Sequence, residues 1–230
     1  MRNRPDAVML FAAGFGTRMG ALTRDRPKPL IEVAGQALLD HALALVADAG
    51  IKRAVANTHY MADKIAAHLA GRDVALSHET PDILETGGGL RHALPLLGQG
   101  PVFTMNTDAI WQGPNPLRLL AEAWDPARMD ALLVTVPPEN ALGHGGAGDF
   151  LRDRNGRLSR GKGEVYSGVQ IVKTDALADI AEPAFSLNLL WDRMLADDRL
   201  FGVSYPGRWC DVGRPEGIAL AEAMIGGGDV

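Results

Sequence analysis

The segment Ala7 to Ala13, AVMLFAA, is apolar throughout and runs straight into Gly14-Phe15-Gly16-Thr17-Arg18. A short apolar run without alternation suits a strand buried on both faces, which is how parallel strands in α/β proteins read. Such a strand followed at once by a glycine-rich turn predicts the first βα unit of a helix-covered sheet. Gly14 and Gly16 let the backbone take positive φ and bring N–H groups close to a ligand, and successive N–H groups in such a turn form an anion-binding concavity. Arg18 adds a fork of donors matched to phosphate oxygens. Lys28 lies between Pro27 and Pro29, whose fixed φ restricts the lysine backbone and helps to aim its ammonium. This order of parts describes a grip for a polyphosphate.

Two familiar glycine motifs are excluded. The dinucleotide fingerprint G-x-G-x-x-G has Met19 where its third glycine belongs, with Gly20 one residue late. The P-loop ends in Gly-Lys-Ser/Thr, which Gly16-Thr17-Arg18 does not match.

From Ala7 to Ala123 strand and helix patterns alternate. Gln36 to Ala49 places Leu38, Leu39, Ala42, Leu45 and Val46 on one helical face, and Gly50 ends it. Strands are predicted at Lys52–Asn57, Val74–His78 and Pro101–Asn106, and helices at Met61–Ala70, Leu90–Leu97 and Pro116–Trp124. The alternation predicts an α/β, doubly wound, mostly parallel sheet, whose ligands bind beyond the carboxyl ends of the strands at a topological switch point. Both the glycine loop and Asn106-Thr107-Asp108 fall at strand ends. Beyond Asp130 the pattern changes: a strand at Ala131–Val136 precedes the glycine-rich loop PPENALGHGGAG, and short strands around Asp149–Arg154 and Val165–Val172 suggest a small antiparallel addition. No linker divides the chain, so one domain is expected, and the tail Gly226-Gly227-Gly228 reads as flexible.

A chain of 230 residues with 47% hydrophobic content has enough apolar side chains for one sizeable core. Its 23 Lys and Arg against 28 Asp and Glu give a net charge of −5, which argues against a general nucleic-acid or anionic-membrane surface. Any anion site must then be local. The single cysteine, Cys210, excludes an intrachain disulfide framework and reads as a small buried residue. No apolar run approaches the roughly 20 residues of a spanning helix, and no signal-peptide pattern precedes the first strand, so a cytoplasmic location is expected. Oligomeric state is not legible; a monomer or small homo-oligomer is expected.

Gly14-Phe15-Gly16-Thr17-Arg18-Met19, Leu22-Thr23, Pro27-Lys28-Pro29-Leu30 and Val33-Ala34-Gly35 together resemble the signature of the sugar-1-phosphate nucleotidyltransferases, also called nucleoside-diphosphate-sugar pyrophosphorylases. Within that group, Leu84-Glu85-Thr86-Gly87-Gly88-Gly89, Asn106-Thr107-Asp108 and Arg208-Trp209-Cys210-Asp211-Val212-Gly213 are most similar to the N-acetylmuramate-1-phosphate uridylyltransferases of cell-wall recycling. The likeness extends from about Val8 to about Ala223. It departs at Thr107, where glycine is expected, and at Ser186-Leu187-Asn188-Leu189-Leu190-Trp191.

The resemblance implies a Rossmann-like nucleotidyltransferase fold with a nucleotide-binding half at about 1–125 and a sugar-binding half at about 126–225. It implies Mg²⁺ as cofactor, and a nucleoside triphosphate and a sugar 1-phosphate as partners. Ala13, Gly14, Gly16, Thr17, Arg18 and Lys28 would bind the nucleotide, with Arg18, Lys28 and Asp108 acting in catalysis. Gly87 and Gly88, opening a helix, would bring N–H groups to the base. Asn106, Asp149 and Glu164 would contact the sugar phosphate and sugar; carboxylates suit sugars because each oxygen accepts from a hydroxyl. Asp108 and Asp211 would hold the metal, as Mg²⁺ typically binds through one or two carboxylates plus substrate phosphates. An aspartate at a strand end also serves as a helix cap or turn residue, and Asp211 also suits a salt bridge. His144 has no second His or Cys at ligand spacing and reads as part of a mobile loop. Trp191 and Trp209 are expected to pack the second half of the core. Two other readings stay open: a guanylyl- or thymidylyltransferase acting on mannose, heptose or glucose 1-phosphate, and a noncatalytic nucleotide-binding regulatory subunit.

Overall fold

The structure, a computed structural model, describes residues 4–227, so Gly228 of the glycine tail lies outside the described residues. The first strand, β1 (Ala7–Phe11), leads through 3-10 turns at Thr17–Thr23 and Lys28–Leu30 to a two-residue hairpin, β2 (Glu32–Val33) and β3 (Gln36–Ala37). Then follow α1 (Leu38–Asp48), β4 (Arg53–Thr58), α2 (Ala62–Leu69), β5 (Val74–His78), α3 (Glu85–Leu97) and β6 (Val102–Asn106). The chain continues through β7 (Ala109–Gln112), α4 (Pro116–Ala123), β8 (Ala131–Val136), β9 (Ala141–Leu142), β10 (Phe150–Arg152) and β11 (Leu158–Arg160). It closes with β12 (Val165–Val172), α5 (Asn188–Ala196), β13 (Leu200–Ser204), β14 (Arg208–Asp211) and α6 (Glu216–Ile225).

Seven strands form the central sheet in the order β13-β8-β12-β6-β1-β4-β5. All neighbours are parallel except β12, which runs antiparallel to both β6 and β8. β1 explains its own central place: Ala7, Val8, Met9 and Leu10 are fully buried, so each face needs a cover. Val8 and Leu10 pack toward Leu39 and Val46 of α1, Ile65 of α2 and Leu117 of α4. Ala7 and Met9 pack on the other face with Leu90 and Leu97 of α3 and Leu190 of α5. The sheet is therefore doubly wound. Chain order runs from β1 outward to β4 and β5, then returns to β6 on the opposite side of β1, which makes the carboxyl ends of β1 and β6 a topological switch point.

Three sequence expectations need correction. Val165–Val172 does not form a separate antiparallel addition with Asp149–Arg154; it is β12, buried within the central sheet, and only β10 and β11 form the small hairpin. The helix expected from Gln36 begins two residues later, because Gln36 and Ala37 pair with Val33 and Glu32. The helix expected at Leu90 begins instead at Glu85 and takes in all three glycines. Tertiary packing overrides their poor helix propensity: a Cβ at Gly87 would lie 2.3 Å from the Phe185 ring, and one at Gly88 would lie 2.6 Å from the Pro183 carbonyl oxygen.

A separate three-stranded sheet, β7-β14-β9, sits beside the switch point. It rests on a third core in which Met19, Ile110, Cys210 and Val212 meet Ala221 and Met224 of α6. Trp209 joins the α1–α4 side of the main core and Trp191 the α3–α5 side. Gly226 and Gly227 are in the turn that ends α6, donating to Glu222 and Met224 carbonyls.

Candidate active site

The loop after β1 takes its shape from Gly16, at φ +64, in the left-handed region. A Cβ there would meet Lys28 Cβ at 2.8 Å. Gly16 is thus required both by its own backbone and by the close pass of the Lys28 stem. Nothing lies within 4 Å of a Cβ built on Gly14, which leaves that backbone open toward the cleft. Thr23 Oγ1 donates at 3.2 Å toward the Gly16 carbonyl, and Tyr60 Oη donates to the Thr23 carbonyl at 2.9 Å, tying the loop to the end of β4. The ring of Phe15 packs against His59 and Tyr60 with centroids 5.5 and 5.6 Å apart.

Lys28 is only 9% exposed, and its Nζ donates to Asp108 Oδ2 at 2.6 Å. Asp108 is held by what surrounds it: Thr107 Oγ1 donates to the Phe11 carbonyl, and the Val212 amide donates to the Asp108 carbonyl at 2.8 Å. The β7–β14 register sets Ala109 opposite Asp211, so two aspartates a hundred residues apart become neighbours. A Cβ on Gly213 would meet Asp211 Oδ2 at 2.8 Å. Burial, and then the negative charge of Asp108, hold the Asp211 carboxyl above its usual range, against the opposing pull of Lys28, Arg18 and His144. Two mutually repelling carboxylates beside the cations of Lys28 and Arg18 are a donor set that suits a divalent metal completed by oxygens from outside the protein. Among the described residues no group of three or more His, Cys, Asp or Glu is placed to hold a metal, so the protein alone would supply an incomplete set.

The cleft itself, of about 300 Å³, is lined by Ala13, Gly14, Gly16, Thr17, Arg18, Lys28, Asn106 and Asp108. Eight of the expected residues therefore converge. Asn106 lies over Gly168, where φ is +85 and a Cβ would sit 2.7 Å from the amide nitrogen, within the register shift of β12. The far wall brings in Glu85 and Thr86 of the Leu84–Gly89 motif together with residues that sequence patterns did not single out: Asn57, Glu79 and Ile83. Asn57 Oδ1 accepts from the Ala12 amide at 2.7 Å while its Nδ2 donates to Glu79 Oε1, also at 2.7 Å. Glu79 Oε2 accepts from the Leu84 amide at 2.8 Å. This buried carboxylate, 1% exposed, locks β1, β4 and the loop before α3 together. Apart from the adjacency of His78 and Glu79 to a predicted strand end, no pattern in the sequence marks it.

Gly87 and Gly88 do not line the cleft. Their amides both donate to the Phe185 carbonyl, at 2.8 and 3.1 Å, so they do not present free N–H groups to a base. Their lack of side chains admits the 183–185 segment instead.

A second cavity of about 260 Å³ adjoins the first, sharing Phe11, Thr86 and Asn106. Tyr166, Phe150 and Trp191 form its aromatic wall, and Asp149, Arg160, Ser186 and Asn188 supply polar groups. Asp149 lines this second cavity, with Oδ2 accepting from the Tyr166 amide at 2.8 Å. Glu164 is not among the lining residues. Its carboxylate accepts from Thr135 Oγ1 and pairs with Arg152 at 3.2 Å, and although burial opposes its charge, these hydrogen bonds keep its pKa below the usual range. Glu164 fastens the β10–β11 hairpin to the sheet. His144 stands near Trp209 with its Nε2 buried and unpartnered among the described residues.

A larger recess, about 680 Å³, opens at the opposite edge of the sheet around Lys52, Arg53 and Arg118. Its arginines are already committed, Arg53 to the Leu97 carbonyl and Arg118 to Asp48. The reactive groups gather at the smaller cleft.

A family model described as MobA-like NTP transferase domain matches residues 8–177. The chain is 43% identical to an N-acetylmuramate alpha-1-phosphate uridylyltransferase of Caulobacter vibrioides, over 98% of this chain and 99% of that one. It is 32% identical to the enzyme of the same description from Neisseria meningitidis serogroup B, over 95% of this chain and 98% of the other. Among solved structures, HddC from Yersinia pseudotuberculosis complexed with GMP-PN superposes with a TM-score of 0.77 at 21% identity, covering 95% of this chain and 99% of that one. A putative glucose-1-phosphate thymidylyltransferase from Bacillus anthracis gives 0.78 at 14% identity, covering 95% and 94%. At those identities the structures establish the shared fold.

Proposed function

The chain belongs to the MobA-like NTP transferase domain family, and from that premise we propose that it transfers a uridylyl group from UTP to N-acetylmuramate 1-phosphate, releasing pyrophosphate, in peptidoglycan recycling. The choice of base and sugar is supported by the nearly full-length similarity to the Caulobacter vibrioides enzyme. The observation that carries the chemistry is the meeting of Arg18, Lys28, Asp108 and Asp211 beside an open glycine loop.

In this reaction an oxygen of the sugar phosphate attacks the α-phosphorus of UTP, the new P–O bond forms, and the bond to the bridging α,β oxygen breaks. Pyrophosphate carries away that electron pair. The attacking phosphate is already anionic at neutral pH, so the site needs no general base, and none of the residues in the cleft is asked to be one. Catalysis then consists of positioning and charge neutralisation. The loop amides around Gly14 bind the triphosphate, and Arg18 and Lys28 offset the charge that gathers on it. Asn106 both donates and accepts, which fits it to orient the incoming sugar phosphate. Asp108 and Asp211 would hold Mg²⁺, which supplies charge neutralisation on the phosphates when bound. Asp149 would accept from a sugar hydroxyl with the oxygen not engaged by Tyr166.

The test is pyrophosphate release by the purified protein with Mg²⁺, presenting UTP, GTP, dTTP, CTP and ATP in turn against N-acetylmuramate 1-phosphate and other sugar 1-phosphates. The expected productive pair is UTP with the muramate sugar. Turnover of a different pair alone would keep the mechanism and reject the specificity. Silence across the panel in a protein that still binds nucleotide would reject catalysis.

A further inference from the structure

We propose that Arg160 determines sugar specificity by pairing with the carboxylate of the lactyl ether, the group that distinguishes N-acetylmuramate from uncharged hexoses. The inference rests on the muramate reading proposed above and assigns the residue that makes the choice.

Arg160 ends β11 and is the only cation among the described residues lining the second cavity. Its guanidinium stands 5.0 Å from the centre of the Phe150 ring and 5.8 Å from that of Trp191, two members of the cavity wall. Arg160 Nη2 donates at 2.8 Å to Asn188 Oδ1 and at 2.8 Å to Asp192 Oδ1, both on α5. The two contacts use up that nitrogen. Nε and Nη1 have no partner among the described residues, so donors remain for an incoming anion. The side chain is thus held by stacking and by α5, with part of its fork still free, an arrangement that reduces the entropy lost when a ligand binds.

The charges around it are compatible with this role. Asp149, the other charged residue lining the cavity, is turned to the Tyr166 amide. Asp192 is well exposed, so its pairing with Arg160 is screened by water and yields to, or is shared with, a carboxylate from the ligand. The cavity also adjoins the cleft through Asn106, which places a bound sugar between the phosphate site and Arg160.

The test compares N-acetylmuramate 1-phosphate with the analogue whose lactyl carboxylate is converted to the amide, which has nearly the same size and no charge. For the natural protein kcat/KM with UTP is expected to favour the acid by about tenfold to a hundredfold, the scale of one hydrogen bond to a charged group. In Arg160→Gln that ratio falls toward one, and in Arg160→Lys, which keeps the charge and loses the fork, it recovers in part. Because each ratio is taken within one protein, a general loss of folding cancels. An Arg160→Gln protein that keeps the natural preference overturns the assignment, as does a natural protein that uses acid and amide equally. Failure of the natural protein to use the muramate sugar at all, with turnover of another pair, overturns the reading of function and this inference with it.

Discussion

Replacing Lys28 with methionine separates the chemistry of this site from its architecture. The methionine keeps most of the stem that passes Gly16 but removes the ammonium 2.6 Å from Asp108. The lysine side chain is 11% exposed and that of Asp108 29%, so the pair is neither a surface bridge of negligible worth nor a fully buried one. Loss of one charge-assisted hydrogen bond of this kind costs about 1.5–3 kcal/mol, discounted here because Asp108 retains access to water. For a chain of this size a loss of about 1–2 kcal/mol lowers Tm by roughly 2–8 °C. The catalytic cost is larger in consequence. Removing one preorganised donor from developing negative charge typically reduces kcat by about 10²–10³, or ~2.7–4 kcal/mol. Steady-state pyrophosphate release is therefore expected to show kcat down by that factor, with KM for the sugar 1-phosphate changed by less than about threefold, because a transition-state interaction is lost. A thermal melt on the same protein checks that the fold persists. A variant with near-natural kcat, or one whose whole loss lies in the sugar KM, would show that Lys28 serves only to brace Asp108.

Glu79→Gln places an NH₂ group where one of two buried donors, from Asn57 and Leu84, was satisfied. A loss of about 1–3 kcal/mol is expected, seen as a lower Tm, and KM should rise for the nucleotide more than for the sugar; an unchanged nucleotide KM would remove Glu79 from the organisation of the cleft. Asp130 sits between Arg199 and Lys173 at 2.7 and 2.8 Å, and although burial alone would raise its pKa, hydrogen bonds from those two carry it below 3.8. A lowered folded pKa gives stability that is present above the unfolded value and is lost as pH falls through the folded one. The Tm difference between the natural protein and Asp130→Asn should thus be full near neutrality and shrink below about pH 3.8, and a difference that stays constant with pH would rule out the ion pairs as its source. Cys210 is fully buried, and burial together with Asp211 pushes its thiol up to about 11. It should resist a thiol-titrating reagent at pH 8 until the protein is unfolded; prompt labelling of the native protein would contradict the packing of the α6 core.

The parts of this site that lie close together in the chain are legible in the amino-acid sequence because their information is local. A buried strand, a glycine turn and a proline-flanked lysine each follow from backbone conformations open to those residue types. Strands such as Val74–His78 and Ala131–Val136 fall where periodicity puts them. At the glycine run and at Glu164, where expectation and structure part, a distant segment is the cause. Three consecutive glycines ordinarily interrupt a helix, yet all three lie in α3: a segment nearly a hundred residues away, around Phe185, needs the space at Gly87 and Gly88, and the Glu79 and Asn57 side chains need it at Gly89. Glu164, placed near turns in the sequence, reads as free to meet a sugar, and only the packing of β8 and the β10 hairpin shows Thr135 and Arg152 claiming it.

The proposed phosphate grip is written in the chain itself: Gly14, Gly16, Arg18 and Lys28 lie within fifteen residues, and turn chemistry over that distance has few solutions. The pair proposed to hold the metal is not, since folding alone brings Asp211 beside Asp108, through the β7–β14 register. Folding likewise sets Asn57 and Glu79 behind the cleft and Arg160 against the Phe150 and Trp191 rings. A carboxylate's chemistry depends on the dielectric and the charges within a few ångströms of it. Those neighbours come from strands and helices that the chain joins by packing, and spacing along the sequence carries no record of the pairing.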